Sequence, residues 1–119
     1  MVFSNYSLGQ IKWEQMVFLG NPEYACDLHP IDFAKFADAC GGIGMRVEDP
    51  RMCGSVIEQA LAHPGPVLVD AIVDPQEPPM PPMVTAKQAR KFAESIVRGT
   101  PNRKEILKTI VAGRIRELV

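Results

Sequence analysis

Cysteine and histidine are the residue types here that most often bind metals or act as nucleophiles. Cys26, Cys40 and Cys53 are 14 and 13 residues apart, with no Cys-x-x-Cys, whereas zinc sites use closely spaced Cys and His pairs. Cys40 and Cys53 fall on apolar faces of predicted helices, which favours a core role. His29 and His63 each precede a proline, and we expect them to cap elements or lie on the surface.

A polar turn near the amino end carries the other candidate residues. The apolar pair Val2-Phe3 is followed by Ser4-Asn5-Tyr6-Ser7, although a strand normally has about five or six residues. Asparagine and serine are common in turns because their side chains bond to nearby backbone. Taken alone, the residues favour a turn role for Asn5.

Composition indicates a soluble globular protein with one domain. The 119 residues are 46% hydrophobic and 23% charged, with a formal net charge of −1. Such a charge gives no electrostatic footprint for nucleic acid. There is no apolar run of membrane-spanning length and no signal-sequence pattern. The odd number of cysteines, together with the missing signal-sequence pattern, predicts reduced thiols and a cytoplasmic location.

The first part of the chain shows two helical patterns. Ser7 and Gln10 form a capping-box pattern that predicts a helix over residues 8–19. Pro30 at a first helical position opens a second helix, with Asp32 in its first turn.

Two strands with a helix between them come next. Residues 43–47 form a short strand pattern, Asp49-Pro50 is a helix start, and residues 66–74 are strongly β-branched. The near-continuous apolarity of residues 66–74 predicts a strand of a parallel sheet buried on both faces. Strand, helix and strand at this spacing predict a right-handed βαβ unit.

Composition then changes, which predicts a division of the chain. Residues 1–74 form the α/β part, residues 75–84 are a proline-rich linker, and residues 85–119 are a helical tail. Thr85 and Gln88 form a second capping-box pattern at the start of the tail.

The predicted sheet is incomplete. Two whole parallel strands and a stub leave faces and edges that a parallel sheet needs to cover. The fold class is therefore α/β, and the pattern predicts the back end of a larger α/β domain. Uncovered apolar surface predicts self-association into a homo-oligomer.

Three stretches carry a family resemblance. "VFSNYSLGQIKWEQM", "DLHPIDFAKFADACGGIGMRV" and "HPGPVLVDAIVD" resemble the C-terminal end of thiamine-pyrophosphate-dependent enzymes of the pyruvate oxidase and acetolactate synthase group. "PPMPPMVTAKQARKFAESIVRG" is most similar to bacterial flavin-containing pyruvate oxidases, including quinone-dependent pyruvate dehydrogenase. The resemblance implies the C-terminal portion of a three-layer, parallel-sheet thiamine-diphosphate-binding domain, with an incomplete doubly wound sheet.

The resemblance also implies site residues. Family members hold the cofactor diphosphate through Mg²⁺. The resemblance implies that the side-chain oxygen of Asn5 and the backbone carbonyl of Ser7 are the metal ligands in this chain. The following Leu8 and Gly9 are implied to contact the cofactor. Ser4 replaces an asparagine that is not a usual ligand. Mg²⁺ prefers oxygen ligands and bridges protein to phosphate, which agrees with this donor set.

Glu14 follows nine residues after Asn5. In relatives, a glutamate at this position lies near the reacting end of the cofactor. Glu14 is therefore implied as a catalytic-pocket residue. The alternative is that Glu14 is a solvated helix residue. Gln10 and Trp13 are implied to line the same pocket, with a core role as the alternative for Trp13.

The implied parent reaction is oxidative decarboxylation of pyruvate. The Gly-Asp-Gly aspartate that completes the metal motif is not in this sequence, and the resemblance assigns the activating glutamate and FAD to other domains. We therefore expect a chain that is inactive alone and does not itself bind FAD. The alternatives are an acetolactate synthase-like or other 2-oxo acid decarboxylase fragment, and a non-catalytic association or membrane-docking module.

Residues 101–119 form a basic amphipathic segment. Residues 103–119 carry five basic and two acidic side chains around an apolar stripe. Such a helix can lie in a membrane interface, and quinone-linked relatives use a C-terminal segment in this way, but amphipathic helices also dock on their own domain. Peripheral membrane contact and self-docking both remain open.

Overall fold

A three-stranded parallel sheet is the centre of the first part of the molecule. The computed structural model describes residues 1–77 and 84–116, with side chains up to residue 112. In the described chain, β1 (Val2–Ser4), β2 (Ile43–Val47) and β3 (Val67–Ile72) pair in parallel in the order β1-β3-β2. The register places Ser4 beside Ile72 and Arg46 beside Asp70. The α/β fold and parallel sheet are therefore as predicted, with β3 shorter than expected.

Two helices pack on this sheet. Helix α2 spans Phe33–Ala39 and α3 spans Cys53–Ala62. A Cβ on Gly44 would lie 1.9 Å from the carbonyl oxygen of Ala34. Glycine is thus required at this position because the α2 backbone lies directly against β2.

Both helix starts use an aspartate, but only one as predicted. Asp49 accepts a hydrogen bond from Arg51 N at 3.0 Å and precedes Pro50, confirming the predicted start. Helix α2 begins after Asp32, which caps it by accepting from Lys35 N at 2.9 Å. The expected start at Pro30 is wrong because the Asp32 side chain supplies the cap two residues later.

The helix after the polar turn differs from its prediction. Helix α1 (Gly9–Glu14) continues into a π-helical turn, Gln15–Leu19, that ends at Gly20 with φ +71°. Ser7 does not cap α1, because it pairs with Asp27 in an antiparallel bridge. The predicted capping box at Ser7 is therefore wrong.

The C-terminal helices pack on α1 and its π-helical turn. Helix α4 spans Ala86–Val97 and α5 spans Arg103–Arg116. The Thr85 capping box is confirmed, with both reciprocal bonds to Gln88 present. The core that these elements share consists of Trp13, Met16, Val17 and Ile106, with Phe92, Ile96 and Ile110 packed against it.

Contacts divide the chain into two compact units. The sheet unit is Met1–Tyr6 with His29–Asp74, and the helical unit is Ser7–Leu28 with the described residues from Pro75 onward. The division predicted from composition placed residues 7–28 with the sheet and remains a prediction. Residues 78–83 of the proline-rich linker and 117–119 of the basic segment lie outside the described residues.

Cysteine burial agrees with the predicted core role only in part. Cys26 is buried, Cys53 is half-buried and Cys40 is exposed. The core role predicted for Cys40 is wrong because α2 ends at Ala39 and Cys40 lies at its C-cap, off the apolar helical face.

Candidate functional site

The Asn5 turn lies at the carboxyl edge of the parallel sheet. Asn5 follows β1 directly and is half-buried. Because Ser4 is in register with Ile72, the carboxyl ends of β1 and β3 meet at the same edge. This edge is where ligands bind in open α/β sheets.

The residue after Asn5 has an unusual backbone. Tyr6 has φ +52°, in the left-handed region, which costs a residue with a Cβ roughly 1–2 kcal/mol. Its side chain lies near the Arg46 guanidinium and contributes to raising the pKa of that group. Sparsely populated conformations persist where surrounding contacts hold them, and they cluster at functional sites.

Arg46 connects the turn to β2. Its Nε donates to Glu48 Oε1 at 2.7 Å. The hydrogen bond to Glu48 and, to a smaller extent, the nearby Tyr6 side chain raise the pKa of the Arg46 guanidinium, and burial opposes them. A fixed positive charge therefore lies beside the turn.

Asp70 is a charged residue at the centre of the sheet. It is fully buried on β3, and Ser4 Oγ donates to its Oδ1. Arg46 Nη1 lies 4.0 Å from its Oδ2. Asp70 was not among the residues predicted for the site, although an aspartate inside an apolar strand pattern is a signal that could have indicated it.

The predicted donor set agrees with a hard cation. The amide oxygen of Asn5 and the carbonyl oxygen of Ser7 are ligand types that Mg²⁺ prefers. Among the described residues, no cluster of three or more His, Cys, Asp and Glu side chains could hold a metal. Two such oxygens would fill only part of an octahedral shell, and phosphate, water or other groups would have to supply the rest.

Residues predicted to contact the cofactor lie in the helical unit. Leu8 N donates to Cys26 O at 2.8 Å, and Gly9 is the first residue of α1. Glu14 is exposed and its Oε1 accepts from Gln10 Nε2 at 3.0 Å. Trp13 is 3% exposed and stacks on Phe92 with ring centroids 5.9 Å apart. This position agrees with the alternative that Trp13 is a core residue.

Lys12 is a buried cation that the sequence pattern did not reveal. Its Nζ lies 2.9 Å from Glu23 Oε2, with side-chain exposures of 3% and 8%. Nζ also donates to Gln76 Oε1 at 2.5 Å. The ammonium therefore joins the loop after the π-helical turn to the segment after Pro75.

Both histidines lie on the surface, as expected. His63 is the C-cap of α3, and its Nδ1 accepts from Gly65 N at 3.0 Å. A local turn bond therefore occupies that nitrogen.

The basic C-terminal segment docks on its own unit through Ile106, with Ile110 packed against the same core. Ile106 of α5 is fully buried in the core of the helical unit, whereas Leu107 and Val111 are 44% and 59% exposed. In the described part of the chain, every helix is too short or too polar to cross a bilayer.

Comparison with known proteins identifies the domain type. Residues 1–71 match the family model described as "Thiamine pyrophosphate enzyme, C-terminal TPP binding domain". Bacillus subtilis (strain 168) has a similar thiamine pyrophosphate-containing protein, YdaP, 34% identical over 98 residues, covering 82% of this chain and 17% of YdaP.

Acetolactate synthases are similar as well. Acetolactate synthase 2, chloroplastic, of Nicotiana tabacum is 34% identical over 90 residues, covering 68% of this chain and 13% of that enzyme. Acetolactate synthase of Bacillus subtilis (strain 168) is 39% identical over 54 residues, covering 45% and 10%. The chain thus spans between 10% and 17% of the length of these relatives. With more than half of its residues matched by the family model, the chain belongs to the thiamine pyrophosphate enzymes, as part of their C-terminal cofactor-binding domain.

Proposed function

We propose that this chain supplies part of the Mg²⁺–diphosphate site of an enzyme that decarboxylates pyruvate oxidatively. The observation that carries the proposal is the place of Asn5, half-buried at the carboxyl edge of a parallel sheet inside the matched residues 1–71. Ligands of α/β folds bind at that edge.

Each residue near the turn has a proposed role. The side-chain oxygen of Asn5 and the backbone carbonyl of Ser7 bind Mg²⁺, and Leu8 and Gly9 contact the cofactor. Thiamine diphosphate, when bound, supplies the carbanion chemistry of decarboxylation. The protein holds the diphosphate end through the metal and thereby orients the cofactor. FAD belongs to another part of the whole enzyme.

Glu14 is proposed as a substrate-positioning carboxylate. It is exposed on α1 and its Oε1 accepts from Gln10 Nε2, so it is accessible to a ligand and fixed by a neighbour four residues away. This role is tested by kinetic measurements on the full-length enzyme to which we assign the chain. Glu14→Gln is expected to raise KM for pyruvate or lower kcat, with Mg²⁺ affinity unchanged.

Calorimetric titration of the chain with Mg²⁺ and thiamine diphosphate tests the metal role. Heat of binding is expected with wild type and lost in Asn5→Ala. Asn21→Ala is the matched control, because it removes another amide whose oxygen accepts from Arg98 at 3.1 Å. Equal binding by wild type and Asn5→Ala would refute the assignment of Asn5.

A second reaction is supported by the names of the relatives. Two of the similar proteins are acetolactate synthases, so an acetolactate synthase-like or other 2-oxo acid decarboxylase reaction is the alternative. Product analysis with pyruvate and the full-length enzyme distinguishes these reactions. Acetate with reduction of an electron acceptor supports the oxidase reaction, and acetolactate supports the alternative.

Membrane docking is the non-catalytic alternative. Exposed Leu107 and Val111 on α5, with exposed Lys104 and Lys108, favour it. Co-sedimentation with anionic vesicles tests it, comparing the chain with a Lys104→Glu/Lys108→Glu variant that leaves buried Ile106 unchanged. Equal sedimentation of the two proteins would remove electrostatic membrane docking through residues 101–119.

A further inference from the structure

Asn5 lies between two residues that are each anchored to the sheet. On its amino side, Ser4 is 4% exposed and its Oγ donates to Asp70 Oδ1. The Ser4 carbonyl also accepts from Val73 N at 3.1 Å. Side chain and backbone of Ser4 are therefore both fixed to the central strand and its extension.

Tyr6 is the anchor on the carboxyl side. Its backbone is left-handed, with φ +52°, and its side chain lies near the guanidinium of Arg46 on β2, whose pKa it helps to raise. Arg46 in turn binds Glu48 at 2.7 Å. A tyrosine rarely adopts this backbone conformation, and such conformations persist where the surrounding structure holds them.

Asp70 connects the two anchors. It is fully buried, with Oδ1 bonded to Ser4 and Oδ2 4.0 Å from Arg46 Nη1. Among the described residues, Oδ2 has no hydrogen-bond partner. A buried carboxylate that is not fully hydrogen-bonded costs free energy, so sheet stability alone does not account for an aspartate here.

We propose that Asp70 and Arg46 are positioning residues that fix the turn on both sides of Asn5 so that its amide oxygen can bind a divalent cation. This inference rests on the metal role in the proposed function. The pair acts through Ser4 and Tyr6 and touches neither cation nor cofactor. Outer partners of this kind typically change metal affinity about 10–100-fold when they are lost.

Paramagnetic broadening by Mn²⁺ provides the test. Mn²⁺ replaces Mg²⁺ as the probe, and the measured signal is the side-chain amide of Asn5 in nitrogen–proton NMR spectra of the full chain. Substitution of fully buried Asp70 risks unfolding the sheet, so the anchors are removed from the turn side by Ser4→Ala and Tyr6→Phe. Tyr24→Phe is the matched control, because Tyr24 is 81% exposed in the helical unit.

The expected result is broadening in wild type and in Tyr24→Phe at the same Mn²⁺ concentration. Ser4→Ala and Tyr6→Phe should each need at least about tenfold more Mn²⁺, while backbone signals of β2 and β3 keep their positions. A structural role alone would move those backbone signals and leave the Mn²⁺ dependence of Asn5 unchanged.

Two other outcomes distinguish the inference from the function on which it rests. If the Asn5 signal of wild type is broadened and Ser4→Ala and Tyr6→Phe respond like wild type, the positioning role is overturned and the metal role stands. If Mn²⁺ leaves the Asn5 signal of wild type unchanged, the metal role fails and the inference fails with it.

Discussion

At the scale of single residues, Lys12 brings a charge into the interior of the helical unit. Its ammonium lies 2.9 Å from Glu23, and both side chains are nearly inaccessible to water. Removing one partner of such a pair leaves the other charge buried and uncompensated. A large loss of stability is therefore expected only when one partner is removed and the other remains.

Lys12→Met should lower the free energy of unfolding by roughly 3–5 kcal/mol. Urea denaturation followed by fluorescence of the single tryptophan, Trp13, measures it. The matched control is Lys35→Met, whose side chain is 84% exposed in its pair with Asp32, with a change below about 1 kcal/mol. Adding Glu23→Leu to Lys12→Met should recover most of the loss; equal effects of the two lysine substitutions would contradict the prediction.

Gly44 offers a second prediction, from sterics. Gly44→Ala places a methyl 1.9 Å from the Ala34 carbonyl oxygen and should cost about 1–3 kcal/mol of unfolding free energy, as overpacking does. Gly54→Ala is the control, since a methyl added there has nothing within 4 Å and a helical alanine gains roughly 0.5–1 kcal/mol. Thermal unfolding by circular dichroism should show opposite shifts; a Gly44→Ala protein as stable as wild type would refute the close approach of α2.

At the scale of elements, the sequence predicted the parts that local patterns determine. The β-branched run became β3, and Thr85 with Gln88 became a capping box. Ser7 carries the same local pattern as Thr85, yet its backbone pairs with Asp27. A contact 20 residues along the chain replaced a local cap, and no local pattern could reveal it.

The candidate site was predictable to a similar degree. Asn5 was placed correctly after a strand, because an apolar pair followed by polar turn residues predicts a strand end. Asp70 and Arg46 were missed because their importance depends on register, which brings them together across β2 and β3. Strand pairing is set by the whole sheet and not by the residues of one strand.

Helix α2 gives a prediction about pH. The hydrogen bond from Lys35 N, then the Lys35 side chain, lowers the pKa of Asp32 below 3.8. A carboxylate with a lowered pKa stabilises the fold above its unfolded pKa, and this contribution is lost as pH falls below 3.8 through the folded pKa.

Asp32→Asn keeps a capping side chain but removes the titration. Melting temperatures measured from neutral pH to pH 2 should fall more steeply below pH 4 for wild type than for this variant. Asp32→Ala, which removes the cap, should be less stable than wild type at neutral pH. Parallel melting curves for wild type and Asp32→Asn would exclude a linkage through Asp32.

At the scale of the whole molecule, apolar side chains remain exposed in the sheet unit. Phe3 is 68% exposed, Phe36 60% and Leu61 81%. Exposed apolar surface of this kind favours association. We expect light scattering across a dilution series to give masses above the 13.1 kDa of one chain at high concentration. Phe36→Ser should shift association to higher concentration, and a strictly monomeric species throughout would contradict the expectation.

The strand order has a consequence for biosynthesis. The middle strand of the sheet, β3, is the last of the three to leave the ribosome, and β1 and β2 pair with it and not with each other. A nascent chain that stops short of Val67 therefore offers neither earlier strand its partner. The β1–β3 and β2–β3 hydrogen bonds can form only as the residues of β3 leave the ribosome, and until then the unpaired segments are open to premature aggregation.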